Sequence, residues 1–169
     1  MIYLDYSATT PVDPKVLDTY LKVTNSFIGN PNSLHKLGVQ SKELIEESTK
    51  QIKELMNADD FEVIYTSGSS ESNNLALKGI CSFYQNRGKH IITTGLEHSS
   101  IYGPASYLMK QGFTVDFVEL DETGRVDINH LKSLMREDTI LVSISAVNSE
   151  IGIRQNIEEI GKVLKEYPK

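Results

Sequence analysis

The spacing of apolar side chains along this chain switches repeatedly between the helical and the strand period. Val16, Leu17, Tyr20 and Leu21 fall on one helical face behind Asp13-Pro14, a good cap and first-turn pair, which predicts a helix there. GNPNS at 29–33 is rich in turn residues and reads as a loop. Residues 36–56 place Leu44, Ile45, Ser48, Ile52, Leu55 and Met56 on one side and Lys/Glu elsewhere, the pattern of a long amphipathic helix. Phe61, Val63, Ile64 and Tyr65 predict a short buried strand that stops at Ser67-Gly68. From Ser70 onward Leu75, Ala76, Leu77 and Lys78 favour a helix, which Gly79 can end. The remainder alternates: strand 90–95, helix 99–111, strand 114–120, a helix behind Asp127 with Leu131, Leu134 and Met135, and strand 139–147. A last helix with Ile157, Ile160 and Leu164 starts at a capping box formed by Asn156 and Glu159.

Strands alternating with helices predict an α/β fold, a mostly parallel sheet built from right-handed crossovers with helices on both faces. In such sheets ligands sit beyond the carboxyl ends of the strands. Three predicted strands end there in polar clusters: the hinge 66–72, Glu97-His98-Ser99 and Asn148-Ser149-Glu150. The hinge supplies Thr66, Ser67, Gly68, Ser69, Ser70 and Ser72 at a helix start, where free N–H groups and the positive end of the dipole attract a phosphate. It reads equally as a serine-rich cap without a ligand, and Glu71 opposes an anion unless its side chain turns aside. No GK[ST] follows, so it is not a P-loop. His98 taken alone is either a site imidazole or a loop histidine with a structural hydrogen bond.

Composition narrows the choice. A chain of 169 residues with 39% hydrophobic and 24% charged residues is expected to form one ordinary domain with a core, and no repeat or boundary is visible. A net charge of -6 with no basic run excludes a nucleic-acid surface. No apolar stretch is long enough for a membrane span and the N-terminus turns polar at once, so no signal peptide and a cytoplasmic location are expected. The single cysteine, Cys81, lies among Leu77, Ile80 and Phe83 and reads as a small core residue. His35, His90 and His130 share no ligand spacing with His98, so no metal site is expected.

In order and spacing, YLDYSATTPVDP, GNPNSLH, TSGSSESNNLALKG, GKHIIT followed by EHSS, DTILVSI and VNSEIG resemble the N-terminal part of the cysteine desulfurases of the NifS/IscS type, in the class V aminotransferases. The resemblance covers essentially the whole chain. It implies the large domain of a pyridoxal-phosphate-dependent transferase of the aspartate-aminotransferase type, fold type I. Residues 1–169 would supply the N-terminal arm and the first part of that domain, the rest of the large domain and the small C-terminal domain lying further on. The family's SGATES loop, which holds the cofactor phosphate, falls on Ser67 to Ser72, with Ser69 for its Ala and Ser70 for its Thr. The histidine that stacks on the pyridine ring and is placed for proton transfer falls on His98. In the family's NNExG motif the second Asn lies near the phenolic oxygen of the cofactor. This chain reads Asn148-Ser149-Glu150-Ile151-Gly152, so Ser149 with shorter reach or Asn148 takes that role.

Pyridoxal-phosphate chemistry needs a lysine for the Schiff base and an acid at the pyridinium nitrogen. In the family both lie beyond the point that matches Lys169, as do the sulfur-accepting cysteine and the substrate-binding arginine. Lys162, Lys165 and Lys169 match no such motif. The resemblance therefore implies the N-terminal portion of an enzyme that converts L-cysteine to L-alanine and passes the sulfur to an enzyme cysteine as a persulfide. The pathway served would be iron–sulfur cluster or thio-cofactor assembly, with a sulfur-acceptor protein as partner and a homodimer or higher oligomer as its state. The chain alone is expected to be inactive. A relative acting on selenocysteine or cysteine sulfinate, and a naturally short non-catalytic protein that binds a phosphate ligand or a desulfurase subunit, are the rival readings. The family's sheet further places three later strands between 61–67 and 139–147, so two strand edges are expected to be open and prone to pairing.

Overall fold

The computed structural model describes residues 2–167, which divide into two compact units, 2–65 and 66–167. No boundary is visible in the composition at that point. The two units are built differently.

In the first unit, α1 (Pro14–Ser26) starts at Asp13, whose carboxylate accepts from the Lys15 N–H at 2.7 Å, with Pro14 in the first turn. Its predicted apolar face forms, but no residue of α1 is buried. The 29–33 loop is folded on itself: the Asn30 side chain accepts from Asn32 N–H and its carbonyl from Ser33 N–H, both at 2.9 Å. α2 (Lys36–Met56) has the predicted bounds and is capped by the His35 imidazole at one end and left-handed Asn57 at the other. Its buried positions are Gly38 and Ser41; a side chain at Gly38 would collide with the carbonyl oxygen of Ser33. The predicted face of α2 stays mostly exposed, Leu55 at 87%.

The hydrophobic core lies in the second unit. Its elements are α3 (Ser69–Tyr84), β1 (His90–Thr94), α4 (Ser99–Lys110), β2 (Thr114–Val118), α5 (Ile128–Leu134), β3 (Thr139–Val142) and α6 (Ile157–Lys165). The three strands form a parallel sheet of order β2-β1-β3. Alternation along each strand sends side chains to two faces. Ile91 and Val115 join Leu77, Cys81, Ile101, Ala105 and Leu108 of α3 and α4 on one face. Ile92 and Val118 join Leu131, Ile160 and Val163 of α5 and α6 on the other. Burial of these side chains contributes roughly 1.5–3 kcal/mol each, which makes the sheet the anchor of the unit.

Several bounds differ from those expected, each for a physical reason. The 61–65 run forms no strand and has no ladder partner among the described residues, and Phe61, Ile64 and Tyr65 are exposed. α3 runs through Gly79 to Tyr84 because Leu77 and Cys81 bury on either side of that glycine. β2 stops at Val118 because the Glu119 N–H donates to the His130 imidazole at 2.8 Å instead of to a strand. The chain then turns at Gly124, whose φ of 78° suits glycine. Beyond Val142 the Ser143 N–H still donates to the Ile92 carbonyl of β1 at 2.9 Å, and past it side chains take over the backbone groups. Thr93 Oγ1 donates to the Ser143 carbonyl at 2.9 Å and the Ser145 N–H donates to Glu97 at 2.9 Å.

Candidate functional site

The start of α3 is held by the acid that the sequence left as an obstacle. Glu71 turns back, and its Oε2 accepts from the Ser67 N–H at 2.7 Å and the Ser67 hydroxyl at 2.6 Å. Those hydrogen bonds, the hydroxyl's first, lower its pKa from the ordinary carboxylate value. Gly68 at the cap position has no side chain to offer the first-turn N–H groups. Those groups of Ser69 and Ser70 stand among the orphan donors of a helix start, and both serines are exposed. Their hydroxyls make no hydrogen bond among the described residues. Thr66 and Ser72 close the hinge from behind, their hydroxyls 2.6 Å apart.

His98 caps α4. Its Nδ1 accepts from the Ser100 N–H at 3.1 Å and lies 2.9 Å from the Ser100 hydroxyl, which in turn accepts from Asn73 Nδ2 of α3 at 2.8 Å. The two helices that flank the candidate site are thus joined by Asn73, Ser100 and His98. The loop that carries His98 is fixed from the sheet side as well. Glu97 is buried; it accepts from the Thr94 hydroxyl at 2.9 Å and from both the N–H and the hydroxyl of Ser145. Glu97 was visible in the sequence only as part of a polar cluster. Its alternation with His98, one inward and one outward, was the available signal.

Asn148 does structural work. Its Nδ2 donates to the Leu96 carbonyl at 2.8 Å, and its Oδ1 accepts from the N–H groups of Glu150 and Ile151 at 2.9 Å each. Ser149 beside it is exposed. The loops 95–98 and 145–150 enclose a cleft of about 180 Å³ lined by His98, Tyr102, Asn148 and Ser149 among others. A larger cleft of about 470 Å³ beside Arg125, Arg154 and the start of α6 carries none of the predicted residues. Of those residues, His98, Asn148 and Ser149 meet at one cleft; Ser69 and Ser70 sit on the helix tied to it. Cys81 is buried in the core, and burial raises its thiol to about 11, which removes it as a nucleophile at neutral pH. Among the described residues no cluster could hold a metal ion, and no helix is long and apolar enough to cross a membrane.

The donor set suits a phosphorylated aromatic cofactor. Uncharged hydroxyls and N–H groups at a helix start fit a phosphate, and an imidazole with one nitrogen tied down offers a flat face and one open nitrogen. Comparison with known proteins identifies the family. Residues 2–169 match the family described as aminotransferase class-V. The chain is 48% identical over 167 residues to cysteine desulfurase IscS of Colwellia psychrerythraea, an overlap of 97% of this chain and 41% of that protein. A solved NifS-like protein superposes with a TM-score of 0.91 at 34% identity, over 95% of this chain and 44% of that one. A structure of SspA in complex with cysteine gives 0.89 at 32% identity, over 97% and 47%. The chain spans about two fifths of the length of such curated relatives.

Proposed function

Since the chain belongs to the class-V aminotransferase family, we propose that it is the N-terminal part of a pyridoxal-phosphate-dependent cysteine desulfurase. The observation that carries this reading is the link from the exposed serines of α3 through Asn73 and Ser100 to His98 at the mouth of the cleft. Ser69 and Ser70 would hold the phosphate by first-turn N–H groups and hydroxyls, which is possible because Glu71 is engaged by Ser67. The His98 ring would lie against the pyridine ring and hold or release a proton at Nε2, the nitrogen without a partner among the described residues. Ser149, exposed beside the cleft, and Asn148, which gives one of its two Nδ2 hydrogens to Leu96, are both candidates for the phenolic oxygen. When bound, pyridoxal phosphate supplies an electron sink that weakens the bonds at the α-carbon of L-cysteine.

The complete enzyme would release L-alanine and transfer the sulfur to its own cysteine for an acceptor protein, acting in the cytoplasm as a homodimer or larger oligomer. The lysine, the acid and the acceptor cysteine have no counterpart on the motifs of this chain, so residues 1–169 alone should not turn over. The test is alanine release from L-cysteine with added pyridoxal phosphate. The complete protein should release it, and the 169-residue chain should not. In the complete protein His98→Ala should lower the rate about a hundredfold, the lower end of what general acid–base groups contribute, with an unchanged unfolding midpoint. No alanine from the complete protein would overturn the proposal.

A further inference from the structure

We infer that Asn73 and Ser100 are positioning residues that fix the proton of neutral His98 on Nε2. Its meaning for catalysis rests on the proposed function, whereas the inference itself concerns only this chain. The argument turns on a donor that cannot reverse. The backbone N–H of Ser100 can only donate, and it donates to His98 Nδ1 at 3.1 Å. Nδ1 therefore carries a lone pair, and the ring proton sits on Nε2. The Ser100 hydroxyl, 2.9 Å from the same nitrogen, meets that lone pair with its O–H. Its own lone pairs then face Asn73, whose Nδ2 donates to it at 2.8 Å. Every group along the line Asn73, Ser100, His98 thus points its proton the same way.

Burial makes this arrangement stringent. Ser100 is 8% exposed and Asn73 half-buried, so water competes poorly for either. The line also begins on α3, the helix that carries Ser69 and Ser70, and ends at the ring that lines the cleft. A displacement of the α3 start is felt at the imidazole through two hydrogen bonds. The consequence is a division between the ring's two nitrogens, Nδ1 for anchoring and Nε2 for exchange.

Asn73→Asp is the discriminating change. A carboxylate at that position accepts the Ser100 hydroxyl proton and turns an oxygen lone pair toward Nδ1, which favours the opposite tautomer. Ser100→Ala removes the relay and leaves only the backbone donor. The measurement is the ¹⁵N chemical shift of both ring nitrogens of His98 in the histidine-labelled complete protein, at a pH where the imidazole is neutral. The unchanged chain should give Nε2 as the protonated nitrogen. Ser100→Ala should raise the share of the Nδ1–H form about fivefold, the factor of one net hydrogen bond, and Asn73→Asp should raise it further. Should Asn73→Asp fail to fold, Ser100→Ala, which removes one oxygen, decides alone. Protonated Nδ1 in the unchanged chain, or a ratio that the variants leave in place, would overturn the inference. Neither result touches sulfur transfer, so a failure here is distinct from a failure of the proposed function, which is read in alanine.

Discussion

His90 has no exposed surface and sits at the amino end of β1, away from the cleft. Its Nδ1 lies 2.8 Å from the Thr139 hydroxyl of β3 and its Nε2 3.0 Å from Asp116 of β2, so one imidazole touches all three strands. Burial lowers its pKa, and the Arg136 guanidinium lowers it further, against the opposing pull of Asp116 and Asp138. A depressed folded value means that the unfolded chain binds the proton first. The stability that His90 contributes is therefore fully present above about 6.5, its ordinary value, and is lost as pH falls through the folded value. Urea midpoints should fall as pH drops below that point, and His90→Gln should flatten the slope in that window. The lowered pKa values of Glu71, Asp121 and Asp138 act at lower pH, in and below the carboxylate range, so the two losses separate. A slope unchanged in His90→Gln would remove His90 as its source.

Between elements, the contact that decides the site's geometry is Glu97 against Ser145. It ties the end of β1 to the segment after β3 and holds the loop from which His98 projects. Glu97→Ala should cost about 1–3 kcal/mol, since it leaves Thr94 and Ser145 groups unsatisfied in a buried site. Glu97→Gln, able to accept from one side and donate to the Ser145 oxygen, should recover most of that in a denaturant melt. Equal losses in both variants would mean that charge rather than connectivity matters. This clamp was not legible in the sequence, because it depends on two loops 48 residues apart meeting across a strand pair. The element pattern was: α2 has the predicted bounds, α1 starts where predicted, and the β1 and α4 bounds fall within a residue of expectation, because caps and hydrophobic period act locally. The misses at 61–65, Gly79 and 143–147 fall where partners distant in sequence set the outcome. Asn156 and Glu159 do meet as expected, but through the two side chains at 2.8 Å as well as the Glu159 N–H. The geometry around Ser69, Ser70, His98, Asn148 and Ser149 was reached through the resemblance. Their hydrogen-bond assignments, above all the commitment of Asn148, required coordinates.

The second unit holds a sheet with a centre and two borders. β1 is paired on both sides, while β2 and β3 each present one row of backbone groups without a strand beyond it among the described residues. Phe61, Ile64 and Tyr65 add an exposed apolar run. Such edges pair with other chains, so the 169-residue chain should self-associate, with a light-scattering mass that rises with concentration. A mass fixed at that of a single chain would mean that the borders are protected. Composition does not shift at 65–66, where the two units divide.

Asn148 has a further consequence. By taking three backbone groups of two loops onto its own amide, it relieves the next position of any duty to the fold. Ser149 is exposed and adjacent to the cleft. A lineage that exchanges this residue alters what the cleft presents without loosening the loop. A saturation library at position 149 of the complete protein should therefore change activity while leaving stability in place.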